Sequence, residues 1–85
     1  MACYSNSIKP SAAKELEALP IKDRRRIVRR IQGLASDPRP SGCEKLTGGD
    51  PYRVRQGDYR VVYGVDDAAR EVLIVKVGNR RDVYR

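Results

Sequence analysis

The side chains with the most chemistry to offer in this sequence are the guanidiniums of Arg53, Arg55, Arg60, Arg80 and Arg81 and the phenol of Tyr84. The first three flank Gly57-Asp58, a dipeptide suited to a two-residue hairpin loop. Such a loop fixes register. Gln56 then faces Tyr59, and stepping back pairs Arg55 with Arg60, Val54 with Val61, Arg53 with Val62 and Tyr52 with Tyr63. Side chains alternate along a strand, so Tyr52, Val54, Val61 and Tyr63 share a face that can cover helices, while Arg53, Arg55 and Arg60 share the other. Like charges directly opposite cost about 0.2 to 1 kcal/mol. An anion that binds both guanidiniums reverses that cost, and arginine's planar fork of donors suits phosphate oxygens. The structural alternative is an exposed basic face whose aliphatic stems cover apolar surface.

The C-terminal run Gly78-Asn79-Arg80-Arg81-Asp82-Val83-Tyr84-Arg85 does not have the composition of a core. A phenol among guanidiniums can stack on a nucleobase, a contact worth about 1 to 3 kcal/mol per base in single-strand binders. The alternative is an ordinary basic tail that Tyr84 anchors to the sheet.

Elements that could hold these groups follow from patterning. Cys3 to Ile8 suits a short first strand. Either Pro10 then opens a helix or Ser11 caps it, with Ala13, Leu16 and Leu19 at i, i+3 spacing, and Pro20 ends it. A second helix is expected from near Asp23 to about Ala35, with Ile27, Ile31 and Leu34 as its apolar stripe and Arg24, Arg25, Arg26, Arg29 and Arg30 on its other faces. The prolines of Asp37-Pro38-Arg39-Pro40-Ser41-Gly42 make an extended connection. Three strands are expected at Pro51 to Gln56, Tyr59 to Val65 and Glu71 to Val77, with Asp66-Asp67-Ala68-Ala69 as the second turn. The expected fold is α+β, one domain over residues 1–85. A helical hairpin packs on a mostly antiparallel four-stranded sheet, in the order β-α-α-β-β-β.

Composition narrows the partners. A chain of 85 residues has one thin core, and its net charge of +7 favours a polyanion. Cys3 and Cys43 form no C-x-x-C pair, and there is no histidine, so neither a metal nor another cofactor is expected. No segment approaches the roughly 18 apolar residues of a membrane span, and MACYSNSIKP lacks the pattern of a secretory leader. A cytoplasmic protein with reduced thiols and no membrane partner is the expectation.

Nearly the whole chain resembles the RelE-type toxins of the RelE/ParE toxin–antitoxin superfamily. The resemblance runs through Pro10-Ser11-Ala12-Ala13-Lys14-Glu15-Leu16, the connection from Asp37 to Gly42, and Lys45-Leu46-Thr47-Gly48. It is most specific at Tyr52-Arg53-Val54-Arg55, at Gly57-Asp58-Tyr59-Arg60-Val61-Val62-Tyr63 and from Val77 to Arg85. It implies a RelE-like fold and a ribosome-dependent endoribonuclease, an mRNA interferase that cuts message in the ribosomal A site by 2'-hydroxyl attack on the adjacent phosphate. It also implies a cognate antitoxin in a hetero-oligomer.

Carried over position by position, the resemblance makes Arg60, Arg80 and Tyr84 catalytic and Arg53, Arg55 and Arg81 RNA-binding. Members often have lysine at Arg53 or Arg55 and histidine at Asn79. Arginine does not release its proton usefully, so charge stabilisation is expected to dominate, with Tyr84 stacking or accepting a proton. Two other functions fit the same residues: a ParE-like inhibitor of DNA gyrase, and a non-catalytic RNA-binding regulator.

Overall fold

The computed structural model describes residues 3–46 and 51–79. The chain runs β1 (Ser5–Ile8), α1 (Pro10–Glu17), α2 (Ile21–Ser36), β2 (Glu44–Lys45), β3 (Tyr52–Gln56), β4 (Tyr59–Asp66) and β5 (Glu71–Asn79). A proline keeps the residue before it extended, and Lys9 sits at φ −64°, ψ 146°. Pro10 therefore opens α1, where its missing N–H costs no helical hydrogen bond, and Ser11 lies inside the helix. Pro20, at φ −54°, ψ 146°, launches α2 two residues earlier than its first-turn carboxylate, Asp23, had indicated. The Arg24 guanidinium donates to the carbonyls of Glu17 (2.9 Å) and Leu19 (3.3 Å), satisfying acceptors left over where α1 ends.

Ile27, Ile31 and Leu34 recur at i, i+4 and i+7 and form the buried stripe of α2. With Ala12 of α1 they meet Val54, Val61, Tyr63, Val72, Ile74 and Val77 of the sheet. The phenol of Tyr63 is enclosed in this core, and burial pushes its pKa well up. Its hydroxyl donates to the Pro38 carbonyl at 2.7 Å, which pins the start of the connection to β2.

The sheet order is β1-β5-β4-β3-β2. β1 runs parallel to β5 and every other pairing is antiparallel; the helical hairpin carries the chain from β1 at one edge of the sheet to β2 at the other, and the antiparallel strands bring it back to β5. Five strands stand where four were expected. The extra one is a two-residue strand in which Glu44 pairs with Arg53 and Lys45 with Tyr52.

The β3–β4 register is Tyr52↔Tyr63, Arg53↔Val62, Val54↔Val61, Arg55↔Arg60 and Gln56↔Tyr59. Gly57 takes φ 62° and Asp58 does not share the positive sign, as expected of a primed two-residue turn with glycine first. Between β4 and β5 the register slips: Val62 pairs with Lys76 and Tyr63 with Ile74, leaving Val75 unpaired as a bulge. The slip turns Val77, and not Lys76, toward the core. Glu15 of α1 covers the strand just past the bulge, accepting from Lys76 Nζ at 2.9 Å and from the Val77 N–H at 3.1 Å. Among the described residues no helix is long and apolar enough to cross a membrane.

Candidate nucleic-acid interface

The sheet face away from the core holds a cleft of about 580 Å³ lined by Arg30, Gly42, Glu44, Arg53, Arg55, Gly57 and Arg60. The three strand arginines that share this face in the sequence are thus brought to one site. Arg55 and Arg60 stand directly opposite. Across β5, Arg60 faces Gly78, so no side chain from that strand crowds it. Val62 lies on the same face between Arg53 and Lys76 and is buried although it does not belong to the core cluster. Here the two readings of the basic face coexist: arginine stems can shield an apolar residue while their heads face the cleft.

Two lining residues escape sequence reasoning. Arg30 comes from α2, and its Nε is buried without a hydrogen-bond partner. The apolar periodicity of α2 marks Arg30 as off the core stripe but does not say which sheet edge that flank meets. Glu44 arrives on β2, whose two residues carry no periodicity. Its carboxylate forms an ion pair with the Arg53 guanidinium, and that hydrogen bond, reinforced by the charges of Arg53 and Arg60, holds its pKa below the usual carboxylate range. Glu44 therefore stays ionised at neutral pH.

Electrostatically the cleft sets four guanidiniums against one carboxylate. Arginines remain protonated, so they can bind and neutralise an anion but cannot accept a proton. Among the described lining residues only Glu44 can accept one. The nearby phenol of Tyr59 is poorly suited to proton transfer, because burial and Asp23 raise its pKa, and its hydroxyl donates to Asp23 Oδ2 at 3.2 Å. Arg80, Arg81 and Tyr84 lie outside the described residues. Among the described residues no group of three or more potential metal ligands comes together.

The connection that delivers Glu44 is anchored at the far end of the hairpin. Arg39 makes a forked contact with Asp67, at 3.1 Å and 2.8 Å, and donates from Nε to the Tyr52 hydroxyl at 3.0 Å. Tyr4 adds a 2.7 Å hydrogen bond to the same carboxylate. These donors hold Asp67 at a pKa of about 2.

Known proteins share this chain's sequence pattern and fold. Residues 7–84 match the family described as the ParE toxin of the type II toxin–antitoxin system parDE. The chain is 35% identical to Toxin RelE of Mycobacterium tuberculosis, over 96% of this chain and 87% of that protein. The toxin–antitoxin complex RelBE2 from the same organism contains a chain that superposes with a TM-score of 0.85 at 26% identity, covering 94% of each. A chain of the archaeal RelE–RelB complex from Pyrococcus horikoshii gives 0.79 at 32% identity, covering 94% of this chain and 97% of that one. This chain belongs to the RelE/ParE superfamily, the toxins of type II toxin–antitoxin systems.

Proposed function

We propose that this toxin is a ribosome-dependent endoribonuclease that cuts message in the ribosomal A site. The observation that carries the reading is the convergence of Arg53, Arg55 and Arg60, joined by Arg30, on one cleft. In this reading the 2'-oxygen of the target nucleotide attacks its own 3' phosphorus, the P–O5' bond breaks, and the hydroxyl proton passes to a base. Arg60 and Arg80 stabilise the charge that grows on the phosphate, and Arg80 also offsets charge on the departing 5' oxygen. Arg53, Arg55 and Arg81 hold the RNA backbone in place. Tyr84 stacks on a base or takes the proton. The scheme asks for no cofactor.

The partner in this reading is a cognate antitoxin, as in the RelE–RelB complexes, bound through acidic groups that offset the +7 charge. A second reading, inhibition of DNA gyrase, is favoured by the ParE name of the matching family. An RNA-binding regulator without catalysis is the third.

Single-turnover cleavage on programmed ribosomes separates these. Arg80→Ala should slow cleavage by about 100-fold or more, the scale of losing one preorganised donor, while ribosome binding falls much less. Tyr84→Phe keeps the ring and removes the hydroxyl, so a large loss of rate assigns proton transfer and a small one stacking. Wild-type protein that binds ribosomes yet leaves the message intact would refute the nuclease reading, and a supercoiling assay would then test gyrase.

A further inference from the structure

A 2'-hydroxyl that attacks its own phosphate must give up a proton, and guanidiniums cannot take it. Among the described residues lining the cleft, only the Glu44 carboxylate can. Glu44 stands on β2 directly across from Arg53, two residues along β3 from the pairing of Arg55 with Arg60. Two residues of strand span about 7 Å. A phosphate gripped by Arg55 and Arg60 can therefore present its nucleotide's 2'-oxygen to Glu44. The carboxylate is open to such a ligand, with 62% of its side chain exposed, whereas the side chain of its partner Arg53 is only 15% exposed.

In the free protein this carboxylate is a weak base. The hydrogen bond from Arg53, then the charge of Arg53 and that of Arg60, hold its pKa down. Arg30 and Arg55 add two more guanidiniums to the cleft, and no second carboxylate is among its described lining residues. Arginine's fork of donors accepts phosphate as well as carboxylate. A phosphate that arrives at Arg53 displaces Glu44 and offsets part of the positive charge around it, and both changes raise the proton affinity of the carboxylate.

We infer that Glu44 is the general base of the cleavage reaction and that the RNA backbone frees it for this role by taking over Arg53. The inference rests on the nuclease reading above. The 2'-hydroxyl proton passes to the Glu44 carboxylate as O2' bonds to phosphorus. The P–O5' bond breaks with its electron pair left on O5', which takes a proton from water, and Glu44 returns its proton to solvent. The products are a 2',3'-cyclic phosphate and a 5'-hydroxyl. Tyr84 is left with stacking. Arg53 thus both holds the backbone and, through the exchange, makes the base competent only where RNA is seated.

The test is single-turnover cleavage on programmed ribosomes at saturating toxin and across pH, with the full-length Glu44→Gln and Glu44→Asp variants. Wild type should cut at a rate independent of pH between about 6.5 and 8.5, because a carboxylate is ionised throughout. Glu44→Gln should be slower by about 100-fold or more, with a rate that climbs with pH as hydroxide takes the proton instead. It should bind ribosomes no more weakly than wild type and keep its thermal midpoint, which places the loss in the chemical step. Glu44→Asp should recover part of the rate and the flat profile. The carboxyl carbon signal of Glu44 is titrated by NMR in free toxin and in toxin saturated with a short oligoribonucleotide carrying a 2'-deoxy nucleotide at the cut position. Its midpoint should lie below the ordinary carboxylate range in the first and move up in the second. Glu44→Gln that cuts at the wild-type rate, or a wild-type rate that climbs with pH as a phenol base requires, would overturn the inference and leave the nuclease reading standing. A midpoint that RNA does not move would overturn the exchange at Arg53. Wild-type toxin that binds ribosomes but leaves the message intact would remove the nuclease reading and this base together.

Discussion

The two faces of the β3–β4 hairpin differ in almost every physical respect. Toward the helices, Val54, Val61 and Tyr63 are fully enclosed, and the one polar group among them, the Tyr63 hydroxyl, has its acceptor on Pro38. On the open face, Arg55 confronts Arg60 and an internal carboxylate, Glu44, pairs with Arg53. One face is closed in packing and hydrogen bonding, and the other sets guanidinium opposite guanidinium beside a single carboxylate. The two-residue alternation of a strand lets a small protein keep its core and a basic face on opposite sides of the same hairpin.

Substitutions should therefore separate by face. The largest effect on stability is expected from Tyr63→Ala, which empties an enclosed aromatic site and should cost about 3 to 5 kcal/mol, a large share of a small domain's stability. Thermal or denaturant unfolding measures it, and a loss below about 1 kcal/mol would mean this face is not the structural one. Arg55→Ala, on the other side of the same hairpin, should change stability by no more than about 0.5 kcal/mol while weakening RNA binding and its salt dependence. Glu44→Gln sharpens the comparison from within the open face. Releasing Arg53 for a phosphate should tighten RNA binding and raise the log–log salt slope by about 0.7, and unchanged or weaker binding would show that the carboxylate does not compete.

The smallest effect concerns pH. The donors on Asp67 depress its carboxyl from 3.8 to about 2, so its contribution is present above pH 4 and is lost as the pH falls toward 2. Asp67→Asn should remove that part of the acid decline, as followed by thermal melts across the window. Both Asp67 and Arg39 are largely exposed, and salt should shrink the difference.

Much of this contrast is legible in the sequence because one turn carries it. Gly57-Asp58 sets the register, and the register sets which residues share a face. The sequence alone therefore groups the hairpin arginines on one face. It does not place Glu44 with them, since two residues make no periodic signal and their pairing depends on where a proline-rich connection delivers them. Arg30 required knowing how α2 sits against β3. The bulge at Val75 was equally hidden: Val72-Leu73-Ile74-Val75-Lys76-Val77 reads as unbroken alternation, which would have put Lys76 in the core and shifted the residue facing Arg60. Arg80, Arg81 and Tyr84 remain expectations of sequence and family.

The central claim, that the open face performs the chemistry and the helix face holds the fold, is tested most directly by Arg60→Ala. Its single-turnover cleavage of message on programmed ribosomes should be measured beside its thermal midpoint. The expected result is a rate lower by about 100-fold or more with a midpoint within about 4 °C of wild type. A wild-type rate, or a rate lost only together with the fold, would contradict it.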